Sequence, residues 1–423
     1  MTTETPDLAR CVADYAARLH RAAGQRHQVA SALGAWLLLA LAAPASSGAD
    51  RERLTGVLGC DAGAAARVAA ELLDHPHPVV ACAAALWTRA GRQLTERFRT
   101  WRDALPDAVT RGDLPAQAAL DTWAREHTFG LIDRFPIDTR DAWLVLASAL
   151  ATKVSWQTPF TLAPATSLGS ASAWPSALQR VLHTPDPQHS RGHHQFIAAS
   201  PDAGDVAVHA AAAQDGLVVY SVAAAPHVPY LDVLAAAHRI AVADTTGAPV
   251  ARRELKDLPL GEGPAWQIRE ERARSSADVC TAVLPAWSAR SEHDLAAPEL
   301  GFGTVASTLA PGDPWAAKQA AMAKYSRTGF EAAAVTGFAA FAAYTAPQTS
   351  RRVAELRFGH PYAVVAVATT ATDDVRGGSG GSSPRVSSTD GAAGAAWHSL
   401  PVFSAWVSEP EDADDTAVAE IVR

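Results

Sequence analysis

A few stretches of this chain carry residue types that could do chemistry. Gly377-Gly378-Ser379-Gly380-Gly381 matches the G-x-S-x-G pattern, in which a strained turn between a strand and a helix exposes a nucleophilic serine. Here the pattern lies inside DDVRGGSGGSSPRVSSTDGAAGAA (373–396), a Gly/Ser-rich stretch with nothing to hold the serine, so a flexible linker is expected. Gly301-Phe302-Gly303, with Ala306 behind it, mimics a dinucleotide fingerprint. No strand leads into it, however, and no P-loop lysine follows. His189, His193 and His194 lie close together, but a metal needs three or four convergent ligands oriented by further hydrogen bonds. They read as solvated loop histidines, and His75-Pro76-His77 reads as a polar turn. Cys11, Cys60, Cys82 and Cys280 contain no C-x-x-C pair, so they offer neither zinc spacing nor a disulfide framework and read as small buried hydrophobes. No spacing of Ser, His and Asp or Glu suggests a catalytic constellation. A non-enzyme without metal or cofactor is expected.

Composition narrows the classes further. Of 423 residues, 48% are apolar and 19% charged, the balance of an ordinary globular protein. Lys plus Arg number 36 against 44 Asp plus Glu, a formal net charge of −8, and there is no basic tract to suit nucleic acid. The acidic stretch SEPEDADD (408–415) reads as a solvated terminus. The longest apolar run, VASALGAWLLLALAA (29–43), is short of the roughly 20 residues that span a bilayer. Arg21 and Arg26 before it and Ala43-Pro44-Ala45 within it resemble an export leader. Asp7 and Asp14 upstream speak against that, and a buried core helix is the reading preferred.

The elements that would position any site change type along the chain. Leu, Ala and Val recur at three- and four-residue spacing through 8–20, 29–43, 64–73 and 79–88, which predicts helices there. A turn and short helix fit 47–59, and AQAALDTWARE from 116 predicts another amphipathic helix. DAWLVLASALATKVSW (141–156) suits a strand buried on both faces. VAVHAAAAQDGLVVYSVAAAP (206–226) is two apolar runs joined by Gln-Asp-Gly, a hairpin signal. VCTAVLPAWSAR (279–290) is strand-like with Pro285 at an irregular or edge position, and 361–369 and 400–407 are further strands. Helices first and strands later predict a mixed α+β fold.

One segment fits none of these classes. RTGFEAAAVTGFAAF (327–341) mixes helix formers with Gly329, Gly337, Val335 and Thr336, and no charge follows Glu331 until Arg351. Read together with other segments, it carries a family resemblance. WAREHTFGLI (123–132), LVLASALATKVSWQTPF (144–160), CTAVLPAWSARSEHDLAAPELGFG (280–303), RTGFEAAAVTG (327–337), LRFGHPY (356–362), PVFSAWVSEP (401–410) and ASALGAWLLLALAAPASSGADRERL (30–54) resemble serpin segments in kind and order. The chain resembles the serpin family, as a divergent, bacterial-looking member. The resemblance implies a single domain over 8–410 with the Gly/Ser-rich insertion at 373–396, then an acidic tail at 411–423. It implies three β-sheets, eight or nine helices and an exposed reactive-centre loop.

By that resemblance the protein is a suicide inhibitor of a serine protease. The protease cuts the loop, and the freed hinge enters the large sheet as an extra strand that traps the acyl-enzyme. The alternative is the same fold used for binding without inhibition. The hinge would be Gly329, Phe330, Glu331, Ala332, Ala333, Ala334, Val335 and Thr336. Phe330, Ala332, Ala334 and Thr336 would face inward and Glu331 outward. Phe330 departs from the family, where a small hydroxyl residue is usual, and could slow entry or fill space. A polar shutter would comprise Ser31, Ser148 and Gln319, with Trp156 as a structural residue. Fourteen residues past Gly329 the scissile bond falls at Ala343-Tyr344. Ala343 suits an elastase-like pocket, whereas a slip to Tyr344 favours chymotrypsin- or subtilisin-like enzymes. Arg351-Arg352 would attract trypsin-like enzymes but lies too far along for trapping. The expected partner is a serine protease, with no nucleic acid or membrane and a monomeric chain. Location is read two ways: extracellular by family resemblance, cytoplasmic from the want of a convincing leader.

Overall fold

Asp7 opens the first helix by accepting a hydrogen bond from the Arg10 N–H at 3.1 Å, satisfying one of the donors a helix start leaves unpaired. The computed structural model describes residues 7–91, 93–186, 191–273, 275–330, 349–370 and 395–413. In chain order the first elements are α1 (Leu8–Ala23), β1 (Gln28–Ala30), α2 (Ala32–Ala42), α3 (Gly48–Leu58) and α4 (Ala62–Asp74). Then come β2 (Val80–Thr88), α5 (Glu96–Asp103), β3 (Val109–Asp113), α6 (Gln117–Glu126), β4 (Leu144–Thr152) and β5 (Val154–Ser155). The middle contains β6 (Thr161–Pro164), β7 (Arg180–His183), β8 (His193–Ser200), β9 (Gly204–Ala212), β10 (Leu217–Ala223) and α7 (Tyr230–Thr246). It continues through β11 (Gly261–Glu262), β12 (Trp266–Ala273), β13 (Val279–Leu284) and β14 (Trp287–Asp294). The last elements are α8 (Phe302–Leu309), β15 (Lys318–Tyr325), β16 (Gly329–Phe330), β17 (Thr349–Arg357), β18 (Tyr362–Ala368) and β19 (Leu400–Val407). The fold is α+β, with eight α-helices among the described residues.

Two compact units, each drawn from three stretches of chain, emerge from these elements. The first takes the chain up to Thr152, then Ala289–Met322 and Ala366–Ala405. Its centre is α2, apolar all round and buried at every position except Leu38, as a helix without a polar face must be. Beside it lies the sheet β3-β2-β4. Leu120 and Ala124 of α6 pack on Ala85, Trp87, Val145 and Ala147 of β2 and β4, a satellite core that also takes in Phe135.

The second unit takes Lys153–Ser288, Ala323–Val365 and the chain from Trp406. It holds the six-stranded sheet β11-β12-β17-β13-β7-β6, in which β17 runs antiparallel to β12 and parallel to β13. It also holds the antiparallel run β8-β9-β10. The hairpin between β9 and β10 turns at Asp215 and Gly216, both with positive φ (61° and 94°), the requirement the Gln-Asp-Gly signal expressed.

Several expectations need correction. Within 79–88, whose spacing is helical, Val80–Thr88 form β2, because hydrogen bonding to β3 on one side and β4 on the other outweighs alanine's helix propensity. β4 is not buried on both faces: fully and partly covered residues alternate along it. Pro285 lies between β13 and β14 and ends the ladder, so one predicted strand is two. His193 is not on a solvated loop but buried in β8, and His77 is buried with Nε2 2.9 Å from the Thr369 carbonyl. The acidic terminus is docked at its start. Glu411 bridges to Ala286, and Asp412 accepts from the N–H groups of Gln179 and Arg180 at 2.8 and 2.7 Å. No helix among the described residues is long and apolar enough to cross a membrane.

Candidate functional site: the hinge root and an unpaired strand edge

Strand β15 ends at Tyr325, and Ser326 turns the chain by donating from both N–H and Oγ to the Gly329 carbonyl, at 3.0 and 2.9 Å. The next two residues are β16, paired antiparallel with β5: Gly329 faces Ser155 and Phe330 faces Val154. The segment after β5 completes the clasp. Trp156 N–H donates to the Thr328 carbonyl at 3.1 Å, Trp156 Nε1 to the Ser326 carbonyl at 3.0 Å, and Phe160 N–H to the Arg327 carbonyl at 2.9 Å. Arg327 returns one bond from Nε to the Phe160 carbonyl at 3.2 Å. Phe330 is only 4% exposed, its ring edge-on to Trp287 at 6.4 Å between centroids. Trp287 stacks on Tyr325, and Tyr325 packs at a tilt of 48° against Trp156, so β16 closes an aromatic box.

Behind that box sits a histidine pair. His193 Nε2 lies 2.7 Å from the Thr158 carbonyl and its Nδ1 3.1 Å from His209 Nε2, and Phe160 packs against both rings. Burial disfavours the imidazolium, lowering His193 to about 4 and His209 well below its usual value. Two neutral rings can share one proton in such a bond, one donating and the other accepting. No group of three or more metal-ligating side chains occurs among the described residues.

In the first unit, Ser31, Ser148 and Gln319 meet at the start of α2. Ser31 is the N-cap: its Oγ accepts from Gly34 N–H at 3.2 Å and donates to the Val402 carbonyl at 3.0 Å. The Gln319 amide bridges the Ser31 backbone, accepting from its N–H at 3.0 Å and donating to its carbonyl at 2.8 Å. Ser148 Oγ donates to the Gly34 carbonyl at 2.8 Å. Gly34 lies close against this cluster: a Cβ there would be 3.2 Å from Ser31 Oγ, which would have to give by a few tenths of an ångström. Sequence reasoning missed Gly34, Trp287 and Thr328. Contacts made in three dimensions, not spacing, mark them: Gly34 against Ser31, Trp287 against Phe330, and the Thr328 carbonyl against Trp156 N–H.

The same place is a cleft of about 80 Å³, lined by residues 146–150 of β4 and 318–320 of β15 together with Ser31 and Gly34. β4 has β2 on one side and, among the described residues, no strand on the other. An edge of unpaired N–H and C=O groups is a template for one more strand.

Glu331, Ala332, Ala333, Ala334, Val335 and Thr336 lie outside the described residues, as do the Ala343-Tyr344 bond and residues 373–394 with their G-x-S-x-G pattern. Arg351 and Arg352 are described, and both are in β17. There they face Glu271 and Glu270 of β12, Arg351 bonding Glu271 Oε1 at 2.6 Å and Arg352 lying 3.5 Å from Glu270. A protease needs extended chain free of a ladder, so this pair is no accessible cleavage site.

No protein-family model matches the sequence, and no curated protein matches it. The structure, by contrast, resembles solved ones over nearly its whole length. A thermophilic serpin, tengpin, in its native state superposes with a TM-score of 0.61 at 13% identity, covering 97% of this chain and 96% of that one. Human thyroxine-binding globulin in complex with thyroxine gives 0.60 at 12% identity, covering 95% and 98%. Serpin48 of the insect Tenebrio molitor, described as a highly specific serpin, gives 0.56 at 13%, covering 97% and 100%. The chain has the serpin fold.

Proposed function

We propose that this chain is a suicide inhibitor of a serine endopeptidase, and that β16 is the root of its inserting strand. One observation carries the reading: Gly329–Phe330 is already paired to β5, and the chain preceding β5 is β4, a strand with one edge unpaired among the described residues. After cleavage near Ala343-Tyr344, residues 331 onward would extend that pairing along β4. Each added residue would gain ladder hydrogen bonds, and Ala332, Ala334 and Thr336 would be buried beneath helices. Small inward side chains suit a slot as narrow as the cleft beside Ser148 and Gln319. In this reading Ser31, Ser148 and Gln319 hold the shutter, Trp156 holds the hinge root, and the protein acts as a monomer on an elastase-, chymotrypsin- or subtilisin-like enzyme. The test is incubation with such proteases followed by denaturing electrophoresis and calorimetry. The expected result is an SDS-resistant complex and, for the cleaved chain, a melting temperature raised by tens of degrees. Clean turnover by every protease tried would overturn the proposal.

The burial of Phe330 favours a second reading, a serpin-fold protein that binds a partner without trapping it. Thyroxine-binding globulin, whose structure contains bound thyroxine, has this fold too. Here loop cleavage would leave the melting temperature unchanged.

A further inference from the structure

Cys11 and Cys60 are far apart in sequence and adjacent in the first unit. Cys11 is on the first turn of α1 and 6% exposed; Cys60 is half-buried, between Gly59, which ends α3, and Asp61, which caps α4. Gly59 sets their approach. Its φ of 75° is left-handed, and a Cβ there would lie 3.2 Å from Cys11 Sγ and 3.5 Å from Cys11 Cβ. Only a residue without a side chain lets this turn press onto α1. The two thiols are close enough to act on each other, Cys60 lowering the Cys11 thiol and Cys11 raising that of Cys60. The Arg18 guanidinium, donating to the Gly56 carbonyl at 3.1 Å, fastens the same two elements a turn further on.

We propose that Cys11 and Cys60 form a thiol–disulfide exchange site that takes a low-molecular-weight disulfide and closes to a bridge between α1 and the α3–α4 joint. Cys60 is the thiol a small disulfide can reach; it attacks one sulfur of that disulfide as its own proton leaves, forming a mixed disulfide and releasing one small thiolate. The Cys11 thiolate then attacks Cys60 Sγ, forming the Cys11–Cys60 bond and expelling the second. Two protein thiols are oxidised, their protons pass to the two departing thiolates, and the small disulfide is reduced to two thiols. The bridge encloses α2 and α3, so it restricts the unfolded chain over a long loop.

The experiment equilibrates the full chain with glutathione buffers from reduced to oxidised, then alkylates and maps it by mass spectrometry. Expected are a mass lower by about 2 Da before alkylation, from the loss of two hydrogens, then two alkylated cysteines in place of four and one linked peptide pair containing Cys11 and Cys60. The melting temperature should rise by about 5 °C, reversed by dithiothreitol. Cys60→Ser, at the more exposed position, should keep the fold and lose both the linkage and the shift. Four alkylatable thiols across the whole range would overturn the proposal. So would a linkage to Cys82 or Cys280, or glutathione retained on Cys60 without resolution.

Discussion

Replacing Phe330 with threonine tests the hinge reading at its tightest point. The ring is 4% exposed and packs against Trp287, so truncation removes a buried aromatic side chain from the two-residue strand β16. Deleting a core Phe costs about 3–5 kcal/mol; threonine keeps a methyl and Cβ, so about 3 kcal/mol is a reasonable figure for the loss. If that energy holds Gly329–Phe330 on β5, the equilibrium between docked and released root shifts by about two orders of magnitude, at 1.4 kcal/mol per tenfold. Two assays read the shift. Cleavage after Glu331 by a glutamyl endopeptidase should accelerate, and complex formation with a subtilisin-type protease should become faster, by up to the same factor. The reasoning fails if the melting temperature drops while both rates stay within twofold of the parent, because Phe330 would then be ordinary core. Slower trapping would show that the ring assists insertion rather than restraining it.

Other outcomes follow from the same geometry. Gln319→Leu leaves the Ser31 N–H and carbonyl without their side-chain partner, so chemical denaturation should show a loss of about 2 kcal/mol. Gly34→Ala forces a Cβ against Ser31 Oγ and should lower stability by about 1–3 kcal/mol, more than alanine's helix propensity returns. Acid should destabilise the chain through His193. Its folded-state pKa, about 4, lies below the value near 6.5 of an unfolded histidine, so the unfolded chain binds the extra proton between those limits. Stability therefore falls as pH drops from about 6.5 to about 4, by about 3 kcal/mol from this residue, and His193→Gln should flatten that part of the profile in pH-dependent denaturation. Trp156→Phe keeps the ring packing but removes the bond to the Ser326 carbonyl, and a modest fall of about 1 kcal/mol is expected.

How much of this was legible beforehand varies by element. Helix α2 was plain, because eleven nearly unbroken apolar residues can be stable only when buried on every side. The β9–β10 hairpin was equally plain, since its turn needs residues that tolerate positive φ and the sequence supplies Asp-Gly. Ser31, Ser148 and Gln319 were picked out through a family resemblance, and they do meet. Gly34, which packs closely against Ser31 and Ser148, has no periodicity to announce it. Strand β2 misled, because alanine-rich spacing suits a helix until two neighbouring strands offer hydrogen bonds. Local chemistry was enough to establish an α+β chain, its buried helix and its turns. Tertiary structure alone decided which strand edge is unpaired among the described residues, that Phe330 is held in an aromatic box, and that Cys11 lies near Cys60. Each of these is a contact between residues far apart in sequence, whose energy depends on burial and geometry that no local pattern encodes.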